Sequence, residues 1–193
     1  MSAAQLRLGQ IPEPARQPVP PRSRVVVRAD LLPAVIVLAV VAVLGLPLGW
    51  LWSRVAPPEV VGVLAGSTAG QVEVLPLVGQ SAHRFDGMAT FVLFGLAAGV
   101  LTGTALWSLR QRRGPVLLIG AVLGSLAAAW LAMRVGPILA DWRYPTVIGH
   151  PGQMFESAPV LESAWVVVVQ PFGLAIAYSL AVAWNGAEDL GRG

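Results

Sequence analysis

Charge along this chain comes in short bursts separated by long apolar runs. Four windows carry no Asp, Glu, Lys or Arg at all. They lie between Asp30 and Arg54 (23 residues), Asp86 and Arg110 (23), Arg113 and Arg134 (20), and Glu162 and Glu188 (25). A helix needs about 20 apolar residues to cross roughly 30 Å of hydrocarbon, and each window has that length. The next interior window, between Glu59 and Glu73, has 13 residues and is rich in Gly, Ser and Thr. It is too short and too polar to span. The pattern predicts an all-α membrane protein whose four transmembrane helices occupy 31–53, 87–109, 115–136 and 163–184, joined as an antiparallel bundle. Tails at 1–28 and 185–193, outer loops at 55–85 and 137–160 and a tight connection at 110–114 complete the chain. The first apolar run is about twice the length of a secretory h-region, so it reads as a retained anchor.

Composition agrees. Hydrophobic residues make up 55% of the chain and charged residues 12%, where a soluble domain carries about 25% charged residues. All thirteen basic residues are arginine, and their distribution sets the expected orientation. Arg7, Arg16, Arg22, Arg24 and Arg28, then Arg110, Arg112 and Arg113, then Arg192 fall on one side; Arg54, Arg84, Arg134 and Arg143 fall on the other. The positive-inside bias puts the first set, and with it both termini, in the cytoplasm. The expected location is the inner (plasma) membrane. Clustered arginine here reads as topology, with no nucleic-acid role. Six of the seven tryptophans lie near an expected membrane interface: Trp50, Trp52, Trp107, Trp130, Trp165 and Trp184, where amphipathic rings settle.

The segments between spans have their own patterns. Glu59-Val60-Val61-Gly62-Val63-Leu64 and Gln71-Val72-Glu73-Val74-Leu75 flank Gly66-Ser67-Thr68-Ala69-Gly70, which predicts a small extracytoplasmic β-hairpin between helices one and two. Two strands alone are marginal, so the hairpin must lean on something else. Residues 137–160 read as irregular, with one helical turn continuing helix three. The tail at 1–28 is rich in Pro, Arg and Gln and reads as disordered.

Small residues at four-residue spacing predict where helices meet in lipid. Gly95, Gly99 and Gly103 form one row, and Gly120, Gly124 and Ala128 another. A fold at the short connection would set the two rows face to face as a tight antiparallel hairpin of helices two and three. Pro47 and Pro171 should each bend their span. Gln170 is the one strongly polar side chain well inside a span, and reads as structural.

Candidate chemistry is sparse. With no cysteine, disulfides, thiolate metal sites and cysteine nucleophiles are excluded. His83 and His150 make no metal spacing, Ser81 lacks a nucleophile context, and no phosphate-cradling loop is present. No catalytic, cofactor or metal site is expected. Asp86 and Arg134 form a candidate outer ion pair at the helix ends.

The chain resembles an actinobacterial family of small four-span membrane proteins of unknown function. The likeness covers about residues 30–185 and rests on Leu48-Gly49-Trp50-Leu51-Trp52 with Ala56-Pro57, on Phe85-Asp86-Gly87, and on Arg112-Arg113-Gly114-Pro115. Mycobacterial members of such a family include LucB, an accessory subunit of the Mce-type lipid importer. That resemblance implies a partner besides the lipid bilayer: a transporter permease subunit of an ATP-driven machine importing fatty acids or sterols. It implies no catalytic residue. The expected function is thus a non-catalytic accessory or stabilising subunit. A small oligomeric transporter or channel is the alternative, with Gln170, Thr90, Thr102, Thr104 and Ser125 as its polar path. A membrane enzyme built on Asp86, His83 and Glu162 ranks last.

Overall fold

The computed structural model describes residues 27–65, 72–76, 81–108, 115–144 and 150–189. Most of the expected disordered tail, the 66–70 turn, the 110–114 connection and the chain beyond 189 lie outside the described residues. The elements run α1 (Val27–Val43), α2 (Gly45–Val55), β1 (Glu59–Ala65), β2 (Val72–Pro76), α3 (Ser81–Ser108), α4 (Pro115–Arg143), β3 (Met154–Ser157) and α5 (Val169–Asp189), with a 3-10 segment at Ala164–Val168 before α5. Four helical stretches are long and apolar enough to cross a membrane: Leu31–Val55, Ala82–Ser108, Pro115–Arg143 and Ala164–Trp184.

Proline shapes the first and last spans. Pro47 has no N–H to give the carbonyl of Val43, and the first span breaks there into α1 and α2. At the break the Leu44 N–H donates to the Val41 carbonyl, 3.1 Å away, a tightened turn in place of an α-helical one. Pro171 sits in the first turn of α5, just after the 3-10 segment, where a missing donor costs least. Pro137 lies inside α4 and does not end it. That helix continues to Arg143, almost two turns past the expected boundary at 136, while α3 starts several residues ahead of 87. At 28 and 29 residues, α3 and α4 are each about 40 Å long and outreach the hydrocarbon. The loops between spans are correspondingly shorter than expected.

Helix packing departs from the expected hairpin. The row Gly95, Gly99 and Gly103 faces α5, and the row Gly120, Gly124 and Ala128 faces α1 and α2; α3 and α4 barely touch. A Cβ on Gly103 would sit 2.6 Å from the Leu174 carbonyl oxygen, and one on Gly99 would collide with the carbonyl oxygen of Gln170. Across the other contact, a Cβ on Gly120 would lie 2.6 Å from the Ala34 oxygen and one on Gly124 2.8 Å from the Leu38 oxygen, while one on Gly45 would strike the Ala128 oxygen. Partner numbers rise together in both contacts. Each pair of spans, one with three and two with four, therefore runs in the same direction. Neighbours joined by a tight connection run oppositely, so a row selecting a parallel partner skips the adjacent helix.

The expected hairpin is present and gains a third strand. The sheet order is β2-β1-β3, antiparallel throughout, with Val63 opposite Val74 and Val61 opposite Phe155. The β3 strand comes from the segment read as irregular. Gly152, at φ +95°, makes the turn into it, and its N–H donates to the Val63 carbonyl at 2.8 Å. The support that a two-stranded hairpin lacks is supplied from within the chain.

Adding one methyl where backbones touch should separate them. Gly99→Ala and Gly124→Ala are each expected to cost about 1–3 kcal/mol in detergent thermal unfolding. Gly87→Ala, whose added methyl meets nothing within 4 Å, should leave stability unchanged or slightly raised.

Candidate functional site

The two helix pairs meet along a looser seam, and the part of the seam nearest the sheet holds the buried side chains of Trp52, Glu59 and Gln170. Trp52, near the end of α2, is fully buried. Its position near a membrane interface was expected; its burial was not, because interface tryptophans usually leave the ring partly exposed. Two neighbours explain it. Gly136 of α4 has no side chain, so the indole lies against its backbone: a Cβ there would be 2.7 Å from Trp52 Cε3. Trp52 Nε1 donates to the Gly87 carbonyl of α3 at 2.8 Å, and the Phe91 ring meets the indole edge-on, with centroids 6.3 Å apart. One side chain thus joins spans one, two and three.

Below it lies Gln170, 1% exposed. Its amide nitrogen and oxygen have no hydrogen-bond partner among the described residues. It borders a cavity of about 10 Å³ with Trp52, Phe91, Phe94, Gly95 and Ala129 among the lining residues. That space is close to the minimum for a single water. The other candidates for a polar path are consumed locally. The hydroxyls of Thr90, Thr102 and Thr104 donate to the carbonyls of Asp86, Ala98 and Val100, four residues back, and Ser125 donates to Val122. These are back-bonds within single helices, so they line no shared path.

Above Trp52 sits a charge cluster that sequence reasoning missed. Glu59, the first residue of β1, is 3% exposed. Arg84 Nε lies 3.2 Å from its carboxylate, and Arg84 Nη1 donates to the carboxylate of Glu162. The clasp ties the sheet to α3 and to the segment leading into α5. The expected pair of Asp86 with Arg134 does not form. Asp86 is exposed, and the Arg134 guanidinium lies over the Trp130 ring, 5.4 Å from its centroid. The reason is the pairing of spans: α3 and α4 do not face each other, so their ends do not either. The signal for Arg84 was its place one turn into α3, but only a helix starting at Ser81 reveals it. His83 and His150 are exposed, and among the described residues no group of three His, Asp or Glu side chains could hold a metal.

The architecture defines a multi-pass membrane protein, mostly helical, with a small sheet at one end. Comparison supplies the family. The chain belongs to the family described as protein of unknown function DUF2567, matched over residues 41–192. An uncharacterized protein of Mycobacterium leprae is 31% identical over 191 residues, covering 89% of this chain and 90% of the relative. Uncharacterized proteins of Mycobacterium bovis and Mycobacterium tuberculosis are each 28% identical over 166 residues, 76% of this chain and 84% of theirs. No solved structure matches.

The clasp is asymmetric in burial, and its loss should show it. Arg84→Gln strands a buried carboxylate and is expected to lower the melting temperature in detergent clearly more than Glu162→Gln, whose partner keeps Glu59. Gln170→Met replaces an unpartnered amide with an apolar chain of similar volume. Relief of an unmet hydrogen-bonding need is worth about 1–3 kcal/mol, so this variant should be at least as stable as the wild type by thermal unfolding.

Proposed function

We propose that this protein is a non-catalytic accessory or stabilising subunit of a larger complex in the inner (plasma) membrane. In this reading successive spans cross the membrane in alternate directions, the sheet end is extracytoplasmic and both termini are cytoplasmic, as the arginine distribution favours. The observation that carries the proposal is the way the interior polarity is spent. Every hydroxyl offered for a path bonds back to its own helix, Arg84 with Glu59 and Glu162 holds a sheet in place, and the cavity at Gln170 has room for about one water. Polar groups used this way build a support. Large apolar side chains such as Leu32, Leu93, Leu101 and Leu180 remain exposed along the spans, available to lipid or to neighbouring helices. The small-residue rows are taken up inside the chain, so a partner would be held by these larger side chains and by the sheet.

The resemblance to the group that includes LucB points the partner toward the permease of an ATP-driven Mce-type importer of fatty acids or sterols. The family match carries no such assignment. The alternative, a small oligomeric transporter, draws on Gln170 alone. Affinity purification at native expression level, with mass spectrometry of what co-purifies, should return a membrane protein in near-stoichiometric amount. A monodisperse particle without a partner would sink the subunit reading, and solute flux in liposomes holding only this protein would favour the transporter.

A further inference from the structure

Four arginines stand at the sheet end, the arginine-poor end of the chain. Two have evident roles: Arg84 is held by two carboxylates, and Arg134 caps Trp130. The remaining two, Arg54 and Arg143, close the last turns of α2 and α4. Because α2 and α4 pack side by side in the same direction, both arginines reach one groove of about 310 Å³, lined also by Trp50, Ser53, Leu139 and Trp142. The volume lies within the range of small-ligand sites, roughly 300–1,000 Å³.

Among the described residues neither arginine has a carboxylate within salt-bridge distance. Asp141, exposed on the last turn of α4, does not line the groove. The Ser53 hydroxyl already donates to the Trp50 carbonyl. Both guanidinium groups are nonetheless held in place, Arg54 over the Trp50 ring and Arg143 over the Tyr144 ring, each 5.5 Å from the centroid. Such stacking leaves the edge of a guanidinium free to donate to oxyanions in a fork. Trp50 and Trp142 are half to mostly exposed and flank the charges with the amphipathic rings that favour a membrane interface. Two cations at the end where the topology rule does not ask for them, fixed by aromatic rings and without a carboxylate in salt-bridge distance among the described residues, suit this groove to an anion.

We propose that this groove binds the phosphate headgroup of an anionic membrane lipid, with Arg54 and Arg143 as the phosphate ligands and Trp50, Leu139 and Trp142 bordering its glycerol and upper acyl chains. The site is independent of the subunit reading above and stands or falls without it. In native mass spectrometry of the full chain, purified with equimolar phosphatidylglycerol and phosphatidylcholine, phosphatidylglycerol should be the retained lipid. The paired substitution Arg54→Gln with Arg143→Gln should cut that retention roughly thirtyfold, since each basic residue at an anionic surface contributes about 1 kcal/mol. The pair Arg110→Gln with Arg112→Gln removes the same charge at the other end and should leave most of the retention in place. Excess inorganic phosphate should not displace the lipid. Quenching of tryptophan emission by lipids with brominated chains, stronger for phosphatidylglycerol than for phosphatidylcholine in the wild type, reads the same site without a variant. Equal retention of both lipids, unchanged retention in the Arg54/Arg143 variant, equal quenching, or displacement by free phosphate would each overturn the proposal.

Discussion

In lipid, two helices gain nothing from hiding leucine from water, so this fold depends on how closely backbones can approach. The glycines of α3 and α4 set that distance. Where Gly99 and Gly103 meet α5, and Gly120 and Gly124 meet α1, carbonyl oxygens of the partner occupy the space a side chain would fill. Dispersion is short-ranged, and a gap of even half an ångström forfeits a sizeable part of it. These contacts tolerate no addition, which is why they fix both the partner and the direction of each pair. The rest of the molecule is arranged around two such pairs.

What joins the pairs is different in kind. Along the seam the contacts are made by side chains: Trp52 against Phe91, its indole bonded to the Gly87 carbonyl, and at the far end an apolar cluster of Leu106, Leu117, Ala121 and Leu174. A backbone carbonyl already in a helix can accept a second donor, so the Trp52 bond costs the helix nothing and satisfies a buried N–H that would otherwise be stranded. The Arg84 clasp then fastens the sheet over this end. Charge is placed where water or headgroups can reach part of it, and the dry interior is left to packing.

Much of this was legible from the chain. Spans are written as charge-free length, and the four windows correspond to the four apolar helical stretches because a carboxylate or guanidinium is costly in hydrocarbon. The β1–β2 hairpin announced itself through β-branched runs around Gly66 and Gly70. Partner choice was harder. A glycine row says that something comes close, not what, and the row from Gly95 to Gly103 pairs with a helix some seventy residues away. β3 was hidden because Met154-Phe155-Glu156-Ser157 is too short to show a period; it is a strand only because β1 offers an edge. The Arg84 clasp was hidden for a related reason, since Glu59, Arg84 and Glu162 belong to three segments with no local relationship. Trp52 lies near the end of the first span, and the bare backbone of the neighbouring Gly136 is what lets its ring be buried.

The pairing of first with third and second with fourth has a bearing on how the chain is made. Spans leave the ribosome in order, and the first two have no tight partner in each other. Each must wait in the bilayer: the first until α4 is inserted, the second until α5 is. During that interval the glycine face of α3 and the face of α1 at Ala34 and Leu38 are open to lipid, and any membrane-resident helper would have its opportunity then. The native arrangement is completed by the last span to arrive, so the order of synthesis and the order of assembly are interleaved.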